Sequence, residues 1–364
     1  MLKRITVLGS VLLSTTLIAC AQQPKIDFES YDPPSTLVVP ENPVNRSKFP
    51  FVDVHNHQYR MGSGSLADIV SNMDALNMKV MVNLSGGNGA ELKQKVENAR
   101  KQYPGRFIVF HNIDFAGIGS EGWSEKAVKQ LQEDYNNGAR GLKVFKNLGF
   151  SVKDTRGNRV TVEDPRLDPI WKKCGEMKIP VLIHTADPAS FWEEITNENE
   201  RLLELYTHPR RKRSNEDPAP WEVLIAEQHR MFKKHPGTTF IAAHFGWYPN
   251  NLKKLDSLLQ AMPNVVVEFG AVIAELGRQP RTAHDFFLKY QDRILFGKDS
   301  WVPSEYATYF RVLETADEYF PYHKKYHAFW RMYGLDLPDE VLKKVYYKNA
   351  LRIIPGIDLS LFPR

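Results

Sequence analysis

Short apolar runs recur along most of this chain: Phe51–His57, Lys79–Leu84, Phe107–Ile113, Gly141–Phe145, Ile179–His184, Thr239–His244, Val265–Phe269 and Ile294–Phe296. Each reads as a buried strand. The segments between them repeat apolar positions at helical spacing. Leu92, Val96 and Ala99 share one face, as do Ala127, Leu131 and Tyr135, and likewise Leu252, Leu255 and Leu258–Leu259. Turn signals mark the joins at Pro104-Gly105, Asn137-Gly138, Pro236-Gly237 and Pro263-Asn264. Strands alternating with helices predict a parallel α/β sheet. Eight such units predict a (β/α)8 TIM barrel, and no glycine-rich phosphate loop follows the first strand to suggest an open dinucleotide-binding sheet. Two insertions interrupt the rhythm, Thr185 to about Pro220 after the fifth strand and Trp301 to about Pro338 after the eighth. Both leave from the C-terminal ends of strands, the face that carries a barrel's active site, so they are expected to wall the pocket.

The N-terminus reads differently. Lys3 and Arg4 precede an apolar run, Ile5 to Ala19, that ends at Cys20. This is the pattern of a secretory signal, and the run is short for a membrane span. Leu17-Ile18-Ala19-Cys20 resembles a bacterial lipobox, which implies loss of residues 1–19 and lipid on Cys20. Ala21 follows instead of Asp, so the expectation is an outer-membrane lipoprotein facing the periplasm or the cell surface. Residues 20–50 read as a tether and an extended arm, and residues 51–364 as the barrel. With only two cysteines and one of them lipidated, Cys174 is left unpaired and is expected to serve packing. The formal net charge of +5 owes part of its value to Arg210-Arg211-Lys212-Arg213, read as a solvated loop. Nucleic acid is not an expected partner of an exported chain. The expected partners are a small-molecule substrate and, through the lipid, a membrane; nothing in the residues speaks to oligomeric state.

Several strands run directly into metal-competent side chains. Val52 and Val54 alternate with Asp53, His55 and His57, which puts both imidazoles on one face at i and i+2. His184, His244 and Asp299 close the fifth, sixth and eighth strands. Any one of these would ordinarily be a satisfied polar group at a strand end. Together, strands one, five, six and eight would deliver nitrogen and oxygen ligands to one face of one barrel. Lys143 lies within the fourth strand, where a buried amine is costly unless paired, so it is expected in the site. Lys146 is expected on the opposite face of a regular strand. Arg278 and Trp301, on the following loops, are candidates for holding substrate. Glu268 either lines the pocket or supports a ligand histidine. His111 is not assigned, and His208, His229, His235 and His323 are expected at the surface.

Asp-Val-His-Asn-His at the first strand, His184, His244-Phe-Gly, Phe-Gly-Lys-Asp299 and the closing Tyr347-Lys348-Asn349-Ala350-Leu351 resemble the amidohydrolase superfamily, in its amidohydrolase-2 branch of single-domain hydrolases, lactonases and decarboxylases. The resemblance spans about Phe51 to Ile354. It implies that His55, His57, His184 and Asp299 hold one divalent ion, with His244 a further ligand or a catalytic neighbour. Three imidazoles and a carboxylate suit Zn²⁺, with Mn²⁺ and Fe²⁺ as alternatives. The expected reaction is hydrolysis of a C–N or C–O acyl bond, an amide or a lactone, with Asp299 and His244 as catalytic residues. The runner-up is non-oxidative decarboxylation or hydration at the same site, and a third reading is a non-catalytic surface-binding lipoprotein. Relatives more often carry a small residue where Lys298 stands.

Overall fold

The computed structural model describes residue 27 and residues 31–324 and 330–363. The signal segment and Cys20 lie outside the described residues. Residues from Leu37 onward form one compact unit. Part of the expected arm is bound to the barrel: Asn42 donates through its backbone and side-chain nitrogens to Asp317, and Ser47 donates to the Leu76 carbonyl.

Nine strand segments carry the eight expected runs: β1 (Phe51–Asn56), β2 (Met78–Asn83), β3 (Phe107–Val109), β4 (His111–Asn112), β5 (Leu142–Val144), β6 (Val181–Ile183), β7 (Phe240–Ala242), β8 (Val265–Glu268) and β9 (Ile294–Leu295). All pairs are parallel, in the orders β1-β2-β3 and β4-β5-β6-β7-β8-β9. The third run, expected to be continuous, is broken at Phe110. Val109 accepts from Arg140 N while His111 donates to Gly141 O, so two residues on one side oppose one on the other, as in a bulge. Phe110 N still donates to Asn83 O at 3.0 Å, which carries the ladder past the break. At the other end Val54 N donates to Phe296 O at 2.9 Å, and Asn56 bridges Asp299. The chain is therefore a TIM-barrel α/β fold.

Every residue of β1 is buried, on the polar face as well as the apolar one. Such strands are covered on both sides, by the barrel interior and by the helices. Helices Gly89–Gln102, Trp123–Asn136 and Leu252–Ala261 bury Leu92, Val96 and Ala99, then Leu131, then Leu252, Leu255, Leu258 and Leu259. His111 points into this outer layer, with Nδ1 2.7 Å from the Asp134 carboxylate. Cys174 is buried in helix Asp168–Glu176, and burial pushes its thiol pKa up, so it is no nucleophile. His229, His235 and His323, expected at the surface, are half-buried, while His208 is exposed as expected.

Candidate active site

β1 ends by presenting His55 and His57 side by side, ring centroids 5.3 Å apart. Asp299, just beyond β9, completes a trio: its Oδ1 lies 3.5 Å from His55 Nε2 and 3.4 Å from His57 Nε2. The three ligand atoms fall within 4.8 Å of one another. Asp299 has φ 82°, a left-handed conformation uncommon outside glycine, and its N–H donates to the His55 carbonyl at 2.6 Å. Burial works against ionisation of Asp299, yet the surrounding imidazoles hold its carboxyl well below the ordinary range.

His244 opens a left-handed turn after β7. His244, Phe245, Gly246 and Trp247 have φ of 56°, 56°, 58° and 62°, three of them non-glycine residues for which this conformation costs roughly 1–2 kcal/mol each. Packing fixes the turn: Phe245 is buried between Phe269, Phe286 and Phe287. Trp247 folds back so that its ring lies 4.6 Å from that of His244 and 5.5 Å from that of His184.

Glu268, at the end of β8, organises the histidines. Its Oε1 accepts from His55 Nδ1 at 2.9 Å and from His244 N at 2.9 Å, and its Oε2 from Gly270 N at 2.6 Å. Burial opposes its ionisation, but His55 with its hydrogen bond, His244 and the Gly270 N–H bring its carboxyl down to about 2. Of its two expected roles, Glu268 takes support of a neighbouring histidine, and with His55 and His244 it also forms a group whose candidate ligand atoms lie within 4.8 Å of one another. Asp53, two residues before His55 on β1, ties that strand to its neighbours, accepting from His55 N, Lys298 N, Asn56 Nδ2 and Tyr306 OH.

The tautomers follow from these partners. His55 Nδ1 must carry its proton toward Glu268, which leaves Nε2 as a lone pair facing the Asp299 carboxylate. His184 Nε2 lies 2.7 Å from the Ala186 carbonyl and His244 Nδ1 2.6 Å from the Gly270 carbonyl. Carbonyls only accept, so both of those nitrogens are protonated. The nitrogens left over, His184 Nδ1 and His244 Nε2, confront each other at 3.2 Å with a lone pair on each. Burial, then His244, Lys143 and Lys146, keep His184 far from taking a proton, and burial likewise lowers His244. Acceptor thus faces acceptor in two places, an arrangement that a divalent cation relieves. The donor set fits a metal ion.

The structure brings His55, His57 and Asp299 into one trio. His184 stands apart from it, against His244, whose ring is 5.2 Å from that of His55. Lys143 is buried, and among the described residues its Nζ has no hydrogen-bond partner; burial lowers its pKa to about 8 despite Asp299 and Glu268 nearby. Lys146 departs from expectation. β5 stops at Val144, so Lys146 is not bound by strand alternation, and its Nζ donates at 2.6 Å to Asp187, 3.9 Å from His184. Arg213, from the basic run expected to be solvated, clamps the same Asp187 at 3.0 and 3.1 Å. Lys298 turns from the trio to pair with Glu305 and donate to Ser300 O. Arg278 lies over the Trp330 ring at 4.2 Å and pairs with Glu200, while Trp301 is half-buried edge-on to Tyr306 at 5.8 Å. Sequence reasoning missed Ser85, whose Oγ is 2.8 Å from His57 Nδ1, and Asp187; a serine two residues past β2 carries no distinguishing pattern.

These environments make the metal-free protein acid-labile. His55, His57, His184 and His244 all have lowered pKa values, mainly through burial. Below about 6.5 the unfolded chain takes up protons that the folded chain refuses, so stability present above that pH is lost as pH falls. Glu268, depressed from 4.5 to about 2, adds a further loss below 4.5. Asp53, raised to about 6 by burial, opposes them by binding one proton in the fold. The balance favours the histidines, at up to roughly 1.4 kcal/mol per pH unit for each net proton. Melting of the chelated protein should therefore fall steeply between pH 7 and 5; a flat Tm over that interval would contradict the buried neutral imidazoles.

A family model described as amidohydrolase matches residues 42–356. Comparison with the curated proteins finds no match. Among solved structures, a dihydroxybenzoic acid decarboxylase from Polaromonas sp. JS666, with bound manganese and 2-nitroresorcinol, is similar with TM-score 0.54 at 13% identity, over 84% of this chain and 96% of that one. A 2,6-dihydroxybenzoate decarboxylase complexed with 2,6-dihydroxybenzoate gives 0.51 at 15% identity, over 84% and 99%. A TIM-barrel protein from Bordetella bronchiseptica gives 0.51 at 16% identity, over 84% and 98%.

Proposed function

We propose that this chain, which belongs to the amidohydrolase family and is an enzyme of it, hydrolyses an amide or lactone of a small molecule with one divalent ion, most simply Zn²⁺. The observation that carries the reading is the pair of opposed acceptors, His55 Nε2 against Asp299 and His184 Nδ1 against His244 Nε2. His55, His57 and Asp299 would hold the ion, and His184 and His244 offer further lone pairs beside it. A bound divalent ion supplies Lewis acidity and brings water's pKa toward ~7.

The chain's own groups do the remaining work. Asp299, kept ionised, accepts the proton of the attacking water and returns it to the leaving nitrogen or oxygen. Glu268 fixes the His55 ring and, through the His244 N–H, the turn that carries His244. His244, expected as a catalytic residue, gives its one proton to the Gly270 carbonyl and presents Nε2 as a lone pair, so it serves beside the ion and not as a donor to the acyl oxygen. Lys143, whose Nζ has no hydrogen-bond partner among the described residues, pairs with a carboxylate or developing oxyanion of the substrate. Lys143→Met is expected to lower kcat/KM at least 100-fold without lowering Tm, since it removes an unpartnered buried amine. Retained activity would remove Lys143 from the reaction.

Decarboxylation of an aromatic acid is the second reading, and it draws on the names of the two decarboxylases of similar fold. One experiment addresses both. Protein loaded with Zn²⁺ or Mn²⁺ is assayed against panels of amides, lactones and hydroxybenzoates, reading product and released CO₂, before and after chelation. Chelator-sensitive acyl hydrolysis supports the first reading and CO₂ release the second. Full activity in metal-free protein refutes both.

Export as a lipoprotein anchored through Cys20 belongs to the same proposal. Cys20→Ser should move the protein from the membrane fraction to the soluble one and abolish radiolabelled palmitate incorporation.

A further inference from the structure

Lys298 is only 1% exposed. An ammonium carries three N–H donors, and all three are met: Nζ donates to Ser300 O at 2.8 Å and to Ser300 Oγ at 3.1 Å, and it pairs with Glu305. None is left over for a substrate. The main chain is tied as well, since Lys298 N donates to Asp53 Oδ1 at 3.1 Å. Asp299 sits between these anchors. Lys298 thus fastens the chain just before Asp299 to β1 through its own N–H, and grips Ser300, just after Asp299, through its ammonium. Glu305 directly precedes helix Tyr306–Glu314 and keeps the ammonium in place. The Tyr306 ring centre lies 5.6 Å from Nζ, and the Tyr306 hydroxyl donates to Asp53 Oδ2 at 2.6 Å, which closes the circuit back to β1.

We propose that Lys298 is a positioning residue for Asp299: by clasping Ser300 it holds Asp299 in the left-handed conformation from which its carboxylate faces His55 and His57. A non-glycine residue keeps a φ of 82° only where its surroundings over-determine it. The Asp299 N–H on the His55 carbonyl is one such constraint, and it acts on the near side of the turn. The Lys298 ammonium supplies the far side. Pairing with Glu305 alone does not require a buried lysine, because the Glu305 side chain is itself 16% exposed; the two Ser300 oxygens are what the buried route adds. The consequence for metal rests on the proposed function, in which Asp299 is a ligand. Removing a contact that supports a ligand typically costs roughly 10- to 100-fold in metal affinity.

The test reads the turn without metal and the ion separately, and neither readout is turnover. Deuterium exchange at the Asp299 amide is followed in the purified metal-free protein, and Co²⁺ affinity and visible absorption are measured by titration. Lys298→Met keeps an apolar stem and removes the ammonium. It should speed exchange at Asp299 at least tenfold while Leu142–Val144 in β5 exchange as in wild type, weaken Co²⁺ binding at least tenfold and change the Co²⁺ band. Glu305→Gln should act in the same direction by at least threefold, and if Lys298→Met does not fold, as judged by its Tm, Glu305→Gln decides alone. Asp299 exchange at the wild-type rate, or exchange accelerated alike throughout the chain, would overturn the proposal. So would Co²⁺ affinity and spectrum that stay wild-type beside a loosened Asp299 amide. If the wild-type protein takes up no Co²⁺, the metal reading of the site fails, and the exchange result judges the hold of Lys298 on the turn by itself.

Discussion

Asp299→Ala should lower kcat/KM by three orders of magnitude or more and strip most of the metal from the purified protein. Asp299 is the one anionic member of the trio, and its Oδ1 is the point on which His55 Nε2 and His57 Nε2 converge. Its removal takes away a ligand and the proposed proton acceptor together. A tenfold loss corresponds to about 1.4 kcal/mol of barrier, so a thousandfold loss asks for about 4 kcal/mol, modest for a group with both duties. Asp299→Asn separates them. It keeps an oxygen for the ion but cannot take a proton at neutral pH, so metal content measured by atomic emission should recover further than turnover does. Metal content and turnover both at wild-type levels in Asp299→Ala would place the ion elsewhere.

Glu268→Ala should damage stability and metal binding together. The carboxylate satisfies three donors that have no other partner in sight: His55 Nδ1–H, the His244 N–H and the Gly270 N–H. Each buried donor left unsatisfied costs about 1–3 kcal/mol, so a loss of roughly 3–9 kcal/mol in urea denaturation is expected, toward the lower end if water enters. Loss of the His55 anchor should weaken metal affinity 10- to 100-fold, the usual scale for a partner behind a ligand histidine. Glu268→Gln keeps one oxygen, which serves either the His55 and His244 donors or the Gly270 N–H. It should fall between wild type and alanine on both measures. An alanine variant as stable as wild type would mean that the three donors find other acceptors, and the role assigned to Glu268 would fail.

The barrel was legible because parallel strands covered on both faces leave apolar runs with few rivals, such as Val265-Val266-Val267. His55 was legible because it lies in such a run, where strand alternation sets its direction; His57, His184, His244 and Asp299 follow their runs, so the pattern marked their positions while the backbone beyond the strands, left-handed at His244 and Asp299, aims them. Legibility stopped where direction depends on a distant partner. Lys146 follows a strand that ends early, and Asp187, 41 residues away, decides where it points. Arg213 is one of four adjacent basic residues, and nothing local singles it out for Asp187. His184 turns its Nε2 to the carbonyl of Ala186, two residues on, a contact that no side-chain pattern encodes. The break at Phe110 is likewise a register slip between backbones, invisible in an apolar run that reads as continuous.

The succession of positive φ angles from His244 to Trp247 has a consequence for how the ion arrives. The imidazole of His244 is aimed by main-chain torsions that aromatic packing has already locked, so little searching among side-chain conformers precedes capture. Uptake should be paced by the shedding of hydration water from the incoming cation and should vary from ion to ion accordingly. Release of an ion that leans on His244 would then require that packed corner to loosen.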